Sequence, residues 1–369
     1  MSRSFAFVLL SYAPNVTAGM ERATAGLVHG LALHGHDAVI ITAAEVPDHL
    51  PGVERLRSLS LPPSGEDEQL RHSIIEHRVA IHHELRTVFT THRVDTVVYV
   101  DALWGMGLAM LDHPARRVLA MHVVGHDEDL VSALDTADTV IVPSPTVIRQ
   151  AVGRGYQTDS WQVVPNGLRY EEPLSPPLPT QIEARRVQGP IRVLARLSVE
   201  KGVQRLLASA SRTGRRVDIA LGAAPFASSD GAQQRLFDGC RHLASQQPNV
   251  HIGGGLPWDQ VSAWLERAGV VIVPSLKETF GLVALEAMST GTPVIAHDVG
   301  HLPALIGAGE AAGGVLVPLD RGATGLWEAA CDLLENPVTY RTRAQAAYYR
   351  ARDFRPSTVA ESCLKAIPR

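Results

Sequence analysis

Short apolar runs alternate along the chain with longer segments in which apolar residues recur at helical spacing. The runs predict strands, and the segment Glu21–His34 predicts a helix. Because the runs are continuous and do not alternate with polar residues, we expect strands buried on both faces of a parallel sheet. The strands predicted in the first half are Phe5–Leu10, Ala38–Thr42, Thr96–Tyr99, Arg117–Met121 and Thr139–Val142.

The second half of the chain repeats this scheme. The strands predicted there are Ile191–Ala195, Val217–Leu221, Val250–Ile252, Val270–Val273 and Pro293–Ala296. The helices predicted between them are Gly202–Thr213, Trp258–Arg267 and Val283–Thr290. Strands that alternate with helices in this way indicate an α/β fold with two doubly wound Rossmann-like domains.

The domain boundaries follow from composition. The stretch Glu172–Pro190 contains five prolines and little periodicity, which is typical of a linker. We therefore expect a first domain over residues 1–170, a linker over 171–190 and a second domain over 191–340. Residues 341–369 are helical in pattern with a break near Arg355-Pro356, and we expect this C-terminal helix to return to the first domain.

Composition and charge exclude several classes of protein. The chain has 45% hydrophobic and 20% charged residues, and 34 basic against 38 acidic side chains give a formal net charge of -4. The sequence has neither a basic stripe, which is typical of proteins that bind nucleic acid, nor a convincing basic amphipathic helix, which is typical of proteins that bind a lipid surface. Three isolated cysteines indicate a reducing cytoplasm, and Phe5–Leu10 is too short for a signal or membrane-spanning segment.

The segment 271–288 carries the most informative pattern. A predicted strand is followed by a loop with Glu278 and Gly281, and then by a helix that begins near Leu282 and carries Glu286. A helix N-terminus at a strand end favours a phosphate, and glycine lets the backbone come close. The carboxylates would repel phosphate but suit hydroxyl donors, so Glu278 could grip a sugar and Glu286 a ribose. The alternative is a solvated helix face beside a turn.

A second pattern lies in residues 193–202, where a predicted strand leads to Arg196 and Lys201 before Gly202. A diphosphate ligand at this strand end would need positive charge beside it, and these two side chains could supply it. Basic residues after a strand are otherwise ordinary surface charges.

Together these two patterns, E-x7-E and R-x4-K-G, resemble those of the family 4 retaining glycosyltransferases, which have the GT-B fold of two domains facing a cleft. The resemblance implies that catalysis depends on His122, Arg196, Lys201 and Glu278. It implies that the donor is bound by Gly19, Thr279, Phe280, Gly281, Leu282, Glu286, Gly255 and Leu256.

His122 ends a predicted strand where the resemblance implies contact with the transferred sugar, although a lone histidine is more often structural. Gly19 lies in a loop similar to the family's glycine-rich loop, but Ala18 stands where a second glycine is common. The run Asp127-Glu128-Asp129 mimics a metal site, yet the resemblance implies no metal and a solvated turn explains the run.

The resulting hypothesis is a retaining, metal-independent hexosyltransferase without a cofactor. It moves a hexose or N-acetylhexosamine from a nucleotide diphosphate sugar, with UDP favoured, to a small soluble acceptor such as an aminocyclitol in antibiotic biosynthesis. Asp101 and Trp104 follow a predicted strand and could bind the acceptor, although a loop cap and a core tryptophan explain them equally well. A homodimer is compatible with the sequence.

The alternatives are a sugar-nucleotide epimerase or hydrolase on the same fold, and a lipid or polysaccharide acceptor. An NAD-dependent dehydrogenase is disfavoured because no G-x-G-x-x-G follows a predicted strand with an acidic residue about 20 positions on. A sugar-nucleotide binding protein without activity is disfavoured by the intact set of charged residues.

Overall fold

The computed structural model describes residues 2–12, 19–45, 50–61, 67–102, 106–125, 127–171, 175–209, 214–223 and 231–368. These residues form two compact units. Unit 1 holds the described residues up to Glu171 and from Arg355 onward, and unit 2 holds those from Ser175 to Phe354. Each unit is built on its own parallel sheet, which confirms the predicted α/β class with two Rossmann-like units.

The strands of unit 1 are β1 (Ser4–Leu9), β2 (Asp37–Thr42), β3 (Val53–Arg55), β4 (Thr96–Val100), β5 (Arg116–Ala120), β6 (Thr139–Val142) and β7 (Gln162–Val163). Its helices before the boundary are α1 (Gly19–Leu33), α2 (Asp67–Glu76), α3 (Arg78–Thr91), α4 (Asp127–Thr136) and α5 (Pro145–Gly153). The sheet order is β3-β2-β1-β4-β5-β6-β7. The strand order therefore reverses between β1 and β4, and ligands of such sheets bind beyond the carboxyl ends at this point.

The strands of unit 2 are β8 (Ile191–Arg196), β9 (Val217–Gly222), β10 (Val250–Gly254), β11 (Val270–Val273), β12 (Val294–His297) and β13 (Gly314–Val317). Its helices are α6 (Pro179–Gln188), α7 (Val203–Ala208), α8 (Ala232–Ser245), α9 (Trp258–Glu266), α10 (Leu282–Ser289), α11 (Leu302–Ile306), α12 (Gly322–Glu335) and α13 (Pro337–Ala351). The sheet order is β10-β9-β8-β11-β12-β13, so the reversal lies between β8 and β11.

Every predicted strand is present, with ends that differ from the structure by at most two residues. Most of those strands are buried because their apolar runs face helices on both sides, whereas β10 lies at the edge of its sheet and is largely exposed. Three strands were not predicted. β3 and β7 have three and two residues and leave almost no periodic signal, whereas β13 is a short apolar run that sequence reasoning passed over.

The segment interpreted as a linker contains α6, and Ile182 of that helix is buried in the core of unit 2. A proline-rich stretch can therefore still hold a packed helix, because prolines are tolerated at the first helical position.

The C-terminal helical segment divides between the units. α13 packs on α10 and α6 in unit 2, and a final helix, α14 (Pro356–Ala366), packs on α1 in unit 1. The division falls where Arg355 takes an extended conformation before Pro356, as residues before proline usually do. The two helices are separated at the Arg355-Pro356 position where the sequence predicted a break, and the part after the break lies in unit 1. Among the described residues, no helix is long and apolar enough to span a bilayer.

Candidate active site

The ends of β8 and β11 carry a charged pair. Lys201 Nζ lies 2.7 Å from Glu278 Oε2, and the Ser275 hydroxyl donates to the same oxygen at 3.2 Å. The two charged side chains are only 20% and 13% exposed. The sequence separates these residues by 77 positions, and parallel strand ends at the reversal of the sheet bring them together.

Glycine makes the close approach of these two loops feasible. Gly202 has φ +69°, and a Cβ there would lie 2.1 Å from the Pro274 carbonyl oxygen. The Leu276 amide donates to the Glu200 carbonyl at 2.8 Å, so the two loops are also joined by backbone. Any other residue at position 202 would be strained and would clash with Pro274, so the close approach of the two loops requires glycine here.

Helix α10 begins directly after this pair. Gly281 precedes the helix with φ +104°, and Phe280 before it is buried. Glu286 is half-buried in the second turn of the helix, as predicted. The first amides of a helix point their N–H groups away from its body and carry partial positive charge, so this end suits a phosphate.

Sequence reasoning missed two residues beside Glu278. A Cβ on Gly300 would lie 1.7 Å from the Glu278 carbonyl oxygen, and Gly300 has φ +60°. The His301 amide donates to that same carbonyl at 3.2 Å, and its ring stacks on Phe280 with centroids 5.4 Å apart. Both residues follow the predicted strand Pro293–Ala296, and the rule that ligands bind at adjacent strand ends could have found them.

Arg196 is the last residue of β8 and is half-buried. Its guanidinium makes no hydrogen bond or ion pair with any residue that the structure describes. Arg196 lines a recess together with Gly202 and Cys240, and burial raises the pKa of the Cys240 thiol to about 11. The thiol therefore stays protonated, and Arg196 and Arg205 supply the positive charge that lines this recess.

The end of β10 presents exposed glycines. Gly253 and Gly254 have no positive φ, and no described atom lies within 4 Å of a Cβ built on either. Neither a positive φ nor packing against described atoms requires glycine at these two positions, and Gly255 and Leu256 follow directly after the strand. Trp258 is 3% exposed at the start of α9, so its indole packs in the core and does not offer a stacking surface.

In unit 1, the predicted residues His122 and Asp101 lie together. Asp101 follows β4 and is 2% exposed, and its Oδ1 accepts the backbone N–H of His122 at 2.6 Å. His122 lies beyond the end of β5 and lines a recess with Thr24 and Asn166. Burial lowers the pKa of His122 to about 4, so the imidazole is neutral at pH 7 and suits a sugar hydroxyl.

A second recess of unit 1 lies at the ends of β1 and β4. Ser11, Glu21, Asp101 and Met106 contribute to its lining, and the Ser11 hydroxyl donates to Glu21 at 2.6 Å. Glu21 is 5% exposed, and sequence reasoning gave it no role although it is two residues from Gly19. Gly19 is the first residue of α1. Trp104 lies outside the described residues.

The acidic run that mimics a metal site begins α4. Asp127 pairs with Arg154 at 2.5 Å, and Glu128 and Asp129 pair with Arg71 at 2.8 and 3.1 Å. In the part of the chain that the structure describes, no group of three acidic, histidine or cysteine side chains could hold a metal ion. The run is therefore a helix start with its own arginine partners.

Comparisons with known proteins agree with this arrangement. Residues 191–336 match the protein family described as Glycosyl transferases group 1. An uncharacterized glycosyltransferase of Methanocaldococcus jannaschii is 25% identical over 330 residues, which cover 82% of each chain. A D-inositol 3-phosphate glycosyltransferase of Kribbella flavida is 38% identical over 111 residues, which cover 30% of this chain and 26% of that protein.

A solved structure shares the whole fold. Anabaena HepE, crystallised in complex with UDP and glucose, matches with a TM-score of 0.72 and 20% identity over 98% of both chains. At this identity the likeness shows the fold, and HepE and this chain share two parallel-sheet Rossmann-like units.

Proposed function

We propose that this glycosyltransferase, which has the GT-B fold and carries a group 1 glycosyltransferase domain over residues 191–336, transfers a hexose or N-acetylhexosamine from a UDP-sugar to a small soluble acceptor with retention of configuration. The observation that carries the proposal is the Lys201–Glu278 pair beside the first turn of α10. A cation, a carboxylate and a helix N-terminus at one sheet edge match the diphosphate and hydroxyls of such a donor.

Donor binding would separate the charged pair. Lys201 would turn to the diphosphate together with Arg196, and Glu278 would accept a hydroxyl of the transferred sugar. Each charge-assisted hydrogen bond contributes about 1.5–3 kcal/mol, so two cations can stabilise the charge that develops on the leaving diphosphate. Glu286 would hold the ribose, and the amides at Phe280, Gly281 and Leu282 would face the phosphates and sugar.

The glycines at the end of β10 support a nucleotide ligand. Because neither packing nor φ requires glycine at positions 253 and 254, an approaching flat base is a physical reason for their small size. We place the base against the segment Gly253–Leu256. The choice of UDP follows the family resemblance, and HepE was solved with UDP and glucose.

For the chemical step we propose transfer on one face of the sugar. The bond from the anomeric carbon to the diphosphate oxygen breaks, and a bond from that carbon to the acceptor oxygen forms on the same side. The diphosphate oxygen that leaves takes the acceptor's hydroxyl proton. Neutral His122 would bind a sugar hydroxyl, and Glu278 would act as a hydroxyl ligand and not as the nucleophile of a double displacement. No metal is required.

For the acceptor we propose a small polyol or aminocyclitol that binds unit 1 in the cytoplasm. The recess lined by Ser11, Glu21 and Asp101 supports this, since hydroxyl and amino groups donate well to carboxylates. The net charge of -4 gives no attraction to an anionic lipid surface. One of the relatives is a D-inositol 3-phosphate glycosyltransferase, which fits a polyol acceptor.

The test begins with the donor. Thermal-shift screening of UDP-, GDP- and ADP-sugars in EDTA should raise the melting temperature with a UDP-sugar, because a ligand that binds only the folded chain stabilises it. Mass spectrometry with polyol and aminocyclitol acceptors then identifies the product, and NMR of its anomeric proton gives the configuration. An inverted anomer would refute the same-face mechanism. Conversion of UDP-GlcNAc to an epimer in the absence of acceptor would instead show that the protein is a sugar-nucleotide epimerase.

A further inference from the structure

Asp101 ends β4 in an unusual conformation. Its amide donates to the Ala120 carbonyl at 2.9 Å, which extends the β4–β5 pairing by one residue. At that point φ is +61°, in the left-handed region. Among the described residues other than glycine, only Arg93 shares a positive φ. Aspartate tolerates this region better than most residues do, since its short side chain can hydrogen-bond locally.

The carboxylate of Asp101 is directed to the backbone that follows β5. Oδ1 accepts from the amide of His122 at 2.6 Å and from the amide of Val123 at 3.2 Å. With only 2% of Asp101 exposed, water competes little for these bonds. Hydrogen bonds from amides to a carboxylate are stronger than those between neutral groups, so Asp101 holds two successive amides in place.

The imidazole of His122 depends on that backbone. Its ring nitrogens make no hydrogen bond to any residue that the structure describes, so among these residues packing and the main chain set its direction. Met121, one residue earlier, is held through its amide to the Ile141 carbonyl at 2.9 Å. Asp101 supplies the corresponding constraint at His122 itself, from a strand 21 residues earlier in the chain.

We propose that Asp101 is a positioning residue that aims the His122 imidazole at the donor sugar through the two backbone amides. The inference rests on the proposed function, in which His122 binds a sugar hydroxyl. This role differs from binding the acceptor directly, because Asp101 would influence the reaction through the position of the His122 ring.

Three substitutions separate the two properties of Asp101. Asp101→Asn keeps an acceptor oxygen and tolerates φ +61°, Asp101→Gly keeps the backbone conformation and loses the oxygen, and Asp101→Ala loses both. At saturating acceptor, Asp101→Gly should lower kcat by about ten- to a hundredfold, as expected for a misplaced group. Asp101→Asn should recover most of the kcat that Asp101→Gly loses, since its amide oxygen can still accept from the amides of His122 and Val123.

A double-mutant cycle tests the route. In a His122→Ala background, Asp101→Gly should change kcat by less than about twofold, because the imidazole that it positions is gone. Equal losses in both backgrounds, or a loss in Asp101→Asn as large as in Asp101→Gly, would overturn the proposal.

NMR titration of the His122 ring gives a readout that needs neither donor nor acceptor. The pKa should stay near 4 in the native chain and in Asp101→Asn, and rise toward ~6.5 in Asp101→Gly as water reaches the displaced ring. An unchanged titration in Asp101→Gly contradicts the positioning role. If the native enzyme transfers no sugar, the proposed function fails, whereas this titration still decides whether Asp101 positions the ring.

Discussion

In unit 2, Lys201 and Glu278 meet through their side chains at 2.7 Å, whereas in unit 1 the Asp101 carboxylate holds backbone amides and the His122 ring makes no described hydrogen bond. The first arrangement can open when a charged ligand competes for each partner. The second cannot exchange partners without moving the main chain. Side-chain pairs therefore suit groups that must rearrange around a donor, and backbone anchoring suits a neutral group that must keep one direction.

The largest expected effect breaks the side-chain pair. Glu278→Ala or Lys201→Ala should each lower kcat by about a hundred- to a thousandfold, since each removes charge that stabilises the transition state. Steady-state kinetics with the donor found by thermal shift measures this effect.

A neighbouring pair provides the matched control. Lys277 and Glu200 lie 3.6 Å apart, with side chains 76% and 61% exposed. Exposed pairs contribute little, so Lys277→Ala and Glu200→Ala should keep kcat within about twofold. If the substitutions in the Lys277–Glu200 pair lowered kcat as much as those in the Lys201–Glu278 pair, charge in this loop, and not the buried contact, would support turnover.

The next effect concerns the fixed backbone around Glu278. Gly300→Ala should destabilise the chain by about 2–5 kcal/mol, because it combines left-handed strain with the contact at 1.7 Å to the Glu278 carbonyl. Gly309→Ala is the control, since Gly309 has φ +62° but no described atom within 4 Å of a Cβ, and should cost only about 1–2 kcal/mol. Urea unfolding compares the free energies of unfolding of the two variants. Equal losses of stability would show that the contact between Gly300 and the Glu278 carbonyl is not important for the site.

A smaller effect is expected at the end of β10. Gly254→Ala should weaken donor affinity about tenfold, or 1.4 kcal/mol, if the base lies against the backbone. The melting temperature without ligand should not fall, because the Cβ meets no described atom. Gly214→Ala, whose Cβ likewise meets no described atom within 4 Å, should leave donor affinity unchanged. Isothermal calorimetry measures both, and unchanged affinity in Gly254→Ala would move the base elsewhere.

Acidification gives the smallest effect and probes the neutral ring of unit 1. Burial lowers the folded pKa of His122 to about 4, against ~6.5 in an unfolded chain. Between these values the unfolded chain binds more protons, so the stability contributed by the neutral ring is full above pH ~6.5 and is lost as pH falls toward ~4.

His82 and His297 shift in the same direction through burial, so acidification lowers the melting temperature for several reasons. His122→Gln should reduce the fall between pH 7 and pH 5 by about 2–4 °C, since one titrating group is removed. Differential scanning fluorimetry across this range measures the difference. An identical fall of the melting temperature in the native chain and in His122→Gln would show that the His122 ring is exposed to solvent.

The residues around the Lys201–Glu278 pair could be named from the sequence, since they lie in short loops directly after apolar runs, and their role in donor binding stays a prediction. The pattern Glu278–Glu286 marks a strand end and a helix start by itself. His301 and Gly300 escaped notice because their proximity to Glu278 depends on β12 lying beside β11, which local periodicity does not reveal.

The contacts among the candidate site residues of unit 1 were predicted less completely. The strand ends before Asp101 and His122 were found, but the bond between the two residues was not. Glu21 was not recognised, because a buried carboxylate in the first turn of a helix has the same sequence signal as an exposed one.

By itself, the sequence determined the alternation of strands and helices, the two α/β units and the loops with charged residues, because each depends on residues close together in the chain. The tertiary structure decided which of these loops touch. It paired Lys201 with Glu278, set Asp101 on the amides after β5 and returned α14 to α1. Asp101 and His122 are 21 residues apart in the chain, and α1 and α14 are separated by most of its length. Only the packing order of the strands and helices brings such segments together.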